Sequence, residues 1–182
     1  DHMMLDGLED AYEAGRSMGT FGEDCAAKYN FTRDAQDKFA MASVRRAQDA
    51  IKNGAFKDEI APVTVKDRKG ERVVDTDEGP GKINIDKIPT LKPAFKKDGT
   101  VTAAASSSIN DGAAAMVMMR ESTAKKLGVK PLARIVSHAT HAQEPEWFST
   151  APIGATEKAL EKAGWKVDDV DLWEINEAFA VV

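Results

Sequence analysis

The sequence contains few of the features that mark secreted, disulfide-stabilised or membrane proteins. Cys25 is its only cysteine, so no internal disulfide bond is possible. No apolar run approaches the roughly 18 residues that predict a membrane-spanning helix. The first residues lack the basic region and long apolar core of a signal peptide. These absences favour a reducing compartment, and we expect a cytoplasmic protein without a membrane partner.

The charge of the chain is also weak. Its 182 residues include 25 basic and 30 acidic side chains, a net charge of -5. Such mild acidity gives no general attraction to nucleic acid or to an anionic membrane, and neither is expected as a partner. With 42% hydrophobic residues the chain can bury a core, and its length allows one or two domains.

Common catalytic and metal-binding motifs are missing. There is no Gly-x-Ser-x-Gly elbow, phosphate-binding glycine loop or His-Glu-x-x-His. His138 and His141 lack a matching acid or cysteine, so no metal site is expected. Cys25 follows Glu23 and Asp24, whose charges raise a thiol pKa, which indicates a structural cysteine.

The first half of the chain is predicted to hold helices followed by a hairpin. Glycines divide residues 3–29 into a helix, a turn and a second helix. The next helix has Thr32 as its N-cap and Gly54 as its end signal. Residues 60–74 indicate a β-hairpin with its turn at 68–70. Residues 75–99 are rich in turn signals, which is typical of a functional loop or a surface wrap.

The second half alternates between predicted strands and helices. Residues 113–119 are apolar and flanked by turns, as a buried strand would be, and residues 133–139 and 172–175 are further strand candidates. Helices are expected near 121–126 and 153–163. This mixture predicts a layered α/β core.

Both ends of the chain have the apolar character of interior sequence. Met3, Met4 and Leu5 stand at helical spacing at the start, and residues 178–182 end within an apolar run. Natural termini are more often polar. We therefore expect a piece of a longer protein; the alternative is a short native protein with a buried terminus.

Three motifs connect the sequence to a known family. They are residues 101–115, residues 149–155 and residues 174–180, the last containing Asn-Glu-Ala-Phe. In this order and spacing they resemble the thiolase family, as do Ser17-Met-Gly19 and the helix around residues 33–37. The resemblance extends over essentially the whole chain.

The resemblance implies a partial thiolase-like α/β/α/β/α core with an α+β loop domain. Residues 1–109 would form the loop domain that covers coenzyme A, and residues 110–130 would return to the N-terminal core domain. Residues 131–182 would begin the C-terminal core domain. The intact protein would be a homotetramer.

The resemblance also implies Claisen chemistry on acyl-CoA thioesters, within fatty acid metabolism. Two acetyl-CoA would condense to acetoacetyl-CoA and coenzyme A, or the reverse thiolysis would run, with no cofactor beyond the coenzyme A thioester substrate. The nucleophilic cysteine of the family corresponds to sequence before residue 1. Its catalytic Gly-His-Pro and second cysteine correspond to sequence after residue 182. The 182-residue chain alone is therefore expected to be inactive.

Asn176 is the catalytic candidate in this chain. It matches the asparagine of Asn-Glu-Ala-Phe that, in the family, holds a water in an oxyanion hole. An alternative role is to cap a helix beginning near Glu177, and the two roles are compatible.

The coenzyme A contacts follow from the same resemblance. Ser107 matches a serine that hydrogen-bonds the pantetheine arm, and Met18 matches a methionine lining the acyl pocket. Phe148 and Phe179 match apolar wall positions, although such residues can equally be core. Lys82 is a weaker candidate for a phosphate contact, and a solvated lysine is the simpler interpretation.

Two departures from the family pattern leave the acyl preference open. Position 17 is Ser where some members have His, and position 105 is Ala where members usually have Asn. A longer-chain 3-ketoacyl-CoA thiolase therefore stays an alternative. Another is a non-enzymatic acyl-CoA-binding or scaffold module that uses the same surface.

Overall fold

A computed structural model describes residues 2–182 as helices with one small sheet. The α-helices are α1 (His2–Gly7), α2 (Met18–Tyr29), α3 (Arg33–Lys52), α4 (Gly79–Lys82), α5 (Glu121–Leu127) and α6 (Ala151–Ala163). The strands are β1 (Val63–Asp67) and β2 (Gly70–Val74). Short 3₁₀ helices cover Ile85–Thr90, Ala103–Ala105, Pro145–Thr150 and Val167–Asp169.

Helix α3 begins and ends where its local sequence predicts. The side chain of Thr32 accepts a hydrogen bond from the backbone N–H of Ala35 at 3.1 Å, which satisfies one free donor of the first turn. The helix ends at Lys52, and Gly54 takes a φ of 67° just beyond it. Gly128 and Gly164 end α5 and α6 in the same left-handed conformation.

The predicted hairpin is confirmed. Strands β1 and β2 pair antiparallel, from Val63 opposite Val74 to Asp67 opposite Gly70. The irregular stretch after it wraps α3: Gln48 donates to the carbonyl oxygen of Pro80 at 2.8 Å. Ile88, which is 1% exposed, packs with Ala40 and Val44 of α3.

The three strands predicted in the second half are wrong for the described residues. Residues 113–119, 133–139 and 172–175 are assigned no strand, and their apolar side chains are largely exposed, Val117 at 87% and Leu172 at 89%. A strand requires hydrogen bonds to a neighbouring strand. Within residues 2–182 these segments form no such ladder.

A second buried cluster joins α2 to the last residues described. Cys25 and Ala26 of α2 pack with Val181, and Phe179 covers them. This contact brings one end of the chain onto the helix that carries Met18. Among residues 2–182, no helix is long and apolar enough to cross a membrane.

Candidate functional site

Two of the sequence motifs meet side by side. The backbone N–H of Ser107 donates to the carbonyl oxygen of Ala178 at 2.9 Å, and the N–H of Ala180 donates to the carbonyl oxygen of Ala105 at 2.8 Å. Ser106 and Phe179 form the antiparallel bridge between them. The serine-rich segment (residues 105–108) and the Asn-Glu-Ala-Phe segment (residues 176–179) are therefore held together by backbone hydrogen bonds.

The serine-rich segment is fixed from below by Thr102. This residue is fully buried, and its side chain accepts a hydrogen bond from the N–H of Ala105 at 3.3 Å. The hydroxyl of Ser106 donates back to the carbonyl oxygen of Thr102 at 2.8 Å. These bonds define the turn that presents Ser107 to solvent.

A cavity of about 760 Å³ opens beside this junction. Ser107 and Asn176, both exposed, line it together with Lys82. Its walls come from four parts of the chain: α3, the segment around α4, residues 104–110 and residues 173–180. Three residues proposed from sequence alone thus border one cavity. The ammonium group of Lys82 lies 3.5 Å from the carboxylate of Glu78.

The structure does not support a capping role for Asn176. Among the described residues no helix begins near Glu177: residues 172–177 carry no regular structure, and a turn follows at 180–181. A cap needs a helical turn whose free N–H groups it can satisfy. The neighbouring Glu177 instead accepts a hydrogen bond from the hydroxyl of Ser43 at 2.5 Å, which ties this segment to α3.

The apolar candidates form a separate aromatic group. The ring centres of Phe148 and Phe179 lie 6.3 Å apart, and Phe148 also packs edge-on against Phe21 at 6.0 Å. Met18 is half-buried in the first turn of α2, which packs against the 3₁₀ helix carrying Phe148. These side chains do not line the cavity of Ser107 and Asn176, but the backbone at Phe179 connects the two places.

Sequence reasoning missed two residues that shape this region. Phe95 packs edge-on against Phe179 at 5.9 Å, and its ring lies so close to Gly19 that a Cβ there would collide with it. Glu23 is 6% exposed and binds the backbone at residues 100 and 101. In the sequence these contacts are marked only by Gly19 and Gly99. A glycine indicates a close approach only when the residue that approaches it is known.

Cys25 is buried, and the predicted rise in its pKa has a different cause. Burial raises the pKa of the Cys25 thiol, and the neighbouring Ser149 side chain and the charge of Lys28 oppose that rise. Its acidic neighbours point elsewhere: Asp24 binds Arg16 at 2.9 Å and Glu23 binds backbone. Lys28, on the same helix, is the basic residue close enough to act on the thiol.

The histidine pair has other partners. The ring of His141 faces the side-chain oxygen of Gln143 at 3.2 Å, and the carbonyl oxygen of His138 accepts from Lys162 at 3.0 Å. In the part of the chain that the structure describes, no group of three His, Cys, Asp or Glu side chains could hold a metal ion.

Comparison with known proteins gives the same assignment along the entire chain. Residues 1–122 match the thiolase N-terminal domain, and residues 129–182 match the thiolase C-terminal domain. The chain is therefore an α/β protein that contains segments of both of these domains. It belongs to the thiolase family.

Individual relatives agree over all or nearly all of the chain. A probable acetyl-CoA acetyltransferase from Dictyostelium discoideum is 54% identical, covering 100% of this chain and 44% of its own length. The acetyl-CoA acetyltransferase of Shinella zoogloeoides is 51% identical over 99% of this chain and 46% of its own. The chain thus spans less than half the length of these relatives.

A solved structure confirms the fold class. The crystal structure of the Bacillus anthracis acetyl-CoA acetyltransferase superposes with a TM-score of 0.92 at 42% identity, covering 98% of this chain and 45% of that one. The predicted partial thiolase-like α/β fold is therefore correct, although residues 2–182 form only one two-stranded sheet.

Proposed function

We propose that this chain is the coenzyme A-binding part of an acetyl-CoA C-acetyltransferase. The intact enzyme would condense two acetyl-CoA to acetoacetyl-CoA and coenzyme A, or run the reverse thiolysis. The observation that carries the proposal is the junction of Ser107 with Ala178, which places Asn176 on the same cavity. The names of relatives 54% and 51% identical support the acetyl substrate.

Each candidate residue has a physical task in this reaction. Ser107 offers an exposed hydroxyl that can bond the amide groups of a pantetheine arm. Asn176 offers a side-chain amide that can hold a water against the oxygen of a thioester. A thioester oxygen becomes negative when loss of the α-proton gives an enolate, or when attack on the carbonyl gives a tetrahedral intermediate, and an oriented donor stabilises it. Met18, Phe148 and Phe179 supply apolar surface for the acyl end, and no cofactor is required.

Within these 182 residues we propose no nucleophile. Cys25 is the only cysteine, it is 1% exposed, and burial raises the pKa of its thiol. A thiolate must reach the thioester carbon to accept the acyl group, which a buried neutral thiol cannot do. We therefore propose that the nucleophilic cysteine, the catalytic histidine and the second cysteine lie outside this chain.

The test is thiolysis of acetoacetyl-CoA, measured on the product of the complete reading frame and on the 182-residue chain. We expect turnover from the first and none from the second. Coenzyme A binding without turnover in the complete product would support a binding module instead. Faster turnover of longer 3-ketoacyl-CoA substrates would support the longer-chain thiolase.

We also propose the wider organisation that the family resemblance implies. Residues 1–109 would cover coenzyme A, residues 110–130 would belong to the N-terminal core, and residues 131–182 would open the C-terminal core. The intact enzyme would be a homotetramer of the cytoplasm, active in fatty acid metabolism. A single free thiol supports a reducing compartment.

A further inference from the structure

Helix α2 holds a buried carboxylate that is bonded to the backbone of a distant loop. Glu23 is 6% exposed. One of its oxygens accepts from the N–H of Val101 at 2.8 Å, and the other accepts from the N–H of Thr100 at 2.8 Å. The Thr100 hydroxyl donates to the same carboxylate at 3.3 Å while receiving an N–H from Gln36 at 2.9 Å. A buried carboxylate is costly unless it is bonded in this way.

The surrounding loop fits this carboxylate closely. A Cβ at Gly99 would collide with the side chain of Glu23, so only glycine allows the approach. One helical turn earlier, Gly19 receives the ring of Phe95 in the same manner. Phe95 and Gly99 belong to one small hairpin loop, in which the N–H of Ala94 donates to the carbonyl oxygen of Val101 at 2.9 Å. Helix α2 therefore contacts residues 93–102 at two positions, Gly19 and Glu23.

The loop of residues 93–102 leads directly into the serine-rich segment. Val101 and Thr102 are fully buried, and Thr102 closes the turn that ends at Ala105. Ala105 and Ser107 then pair with Ala180 and Ala178 beside the cavity. A shift of the loop at residues 100 and 101 would move both Phe95 and Ser107.

We propose that Glu23 is a positioning residue for acyl-CoA binding. This proposal rests on the proposed function of the cavity, and it gives Glu23 a role that the family resemblance does not imply. The carboxylate acts through the backbone of Thr100 and Val101, which sets the place of Ser107 on one side and of Phe95 on the other. It does not itself touch the substrate.

The test is calorimetric titration of coenzyme A into the complete reading-frame product carrying Glu23→Gln. Glutamine keeps the shape but turns an NH₂ group toward the N–H or hydroxyl of Thr100, so a charge-assisted bond is lost. We expect the dissociation constant to rise about tenfold, because Ser107 and Phe95 are positioned less accurately, with unchanged stoichiometry. A role in stability alone would lower the stoichiometry through unfolded protein and leave the dissociation constant unchanged, and that result would overturn the proposal.

Gly99→Ala provides a second variant that strikes the same contact from the opposite side. It should reproduce the weakened binding, whereas Gly7→Ala, with nothing within 4 Å of the added carbon, should not. Asp34→Asn, on the exposed face of α3, is the matched control for the loss of charge. If Gly99→Ala and Glu23→Gln both bind like the wild type, Glu23 has no positioning role. If the wild type itself fails to bind coenzyme A, the proposed function falls, and the positioning role falls with it.

Discussion

The N–H of Ser107 donates to the carbonyl oxygen of Ala178 at 2.9 Å, and through that bond two motifs far apart in the sequence become neighbours. Ser107 is one residue beyond the bridge position Ser106, and Asn176 is two residues before Ala178. The proposed substrate-binding hydroxyl and the proposed oxyanion-binding amide thus line the same cavity.

Replacing Asn176 by alanine in the complete enzyme should lower kcat by roughly 10²–10³-fold, the usual effect of losing an oxyanion donor. The loss will be smaller if the water persists in the absence of its amide. Tm measured on the same variant separates this effect from the loss of a helix cap, which would lower stability by about 1 kcal/mol and leave kcat per folded site unchanged. Asn176→Asp should also be slow, since a carboxylate repels the developing oxyanion. A normal kcat per folded site in Asn176→Ala would remove this residue from the mechanism.

Replacing Ser107 by alanine should weaken coenzyme A binding by about threefold to tenfold, the contribution of one neutral hydrogen bond. The backbone bond to Ala178 stays, so the fold should be unaffected. Titration calorimetry measures the change, and Ser122→Ala in exposed α5 serves as the control. Equal affinities for both variants would show that the Ser107 hydroxyl does not contact the ligand.

Cys25 should react slowly with iodoacetamide at neutral pH, because the thiol is buried and its pKa is raised. A raised folded-state pKa means that the unfolded chain loses its proton first as pH increases. The contribution of the protonated Cys25 thiol to the free energy of unfolding is therefore present at neutral pH and is lost from about pH 8.5 upward. Denaturant titrations across this range, with Cys25→Ala as the reference, measure the effect. Rapid labelling of the folded protein below pH 7 would contradict this account.

Replacing Thr32 by alanine should lower the free energy of unfolding by about 1 kcal/mol, because the first turn of α3 loses its cap. Thr123→Ala, in the interior of exposed α5, should change it by less than about 0.5 kcal/mol. Chemical denaturation of both variants provides the comparison. Similar values for the two would mean that the Thr32 hydroxyl bond contributes little.

Features of the fold that depend on neighbouring residues were predictable from sequence. The cap at Thr32 and the end signals at Gly54, Gly128 and Gly164 act within one helical turn, so the sequence contains the whole interaction. The same holds for the hairpin of β1 and β2, whose partner strand follows immediately. Local chemistry of this kind can be interpreted without knowledge of the remaining chain.

Features that depend on distant partners were not predictable in the same way. The apolar run at residues 113–119 has the composition of a buried strand, but burial requires a neighbour that residues 2–182 do not provide. In the sequence Glu23 is only one acidic residue next to another, because its partners Thr100 and Val101 lie 77 and 78 residues away. The site residues came from the family resemblance, and the structure added how Ser107 and Asn176 come to share a cavity.

Hydrogen–deuterium exchange with and without coenzyme A tests the central claim most directly. On the complete reading-frame product, bound coenzyme A should slow exchange in peptides covering residues 104–110 and 173–180, which line the cavity on both sides of the Ser107–Ala178 bond. The exposed hairpin of β1 and β2 should exchange equally in both states. Protection confined to other segments, or none at saturating coenzyme A, would contradict the placement of the acyl-CoA site at this junction.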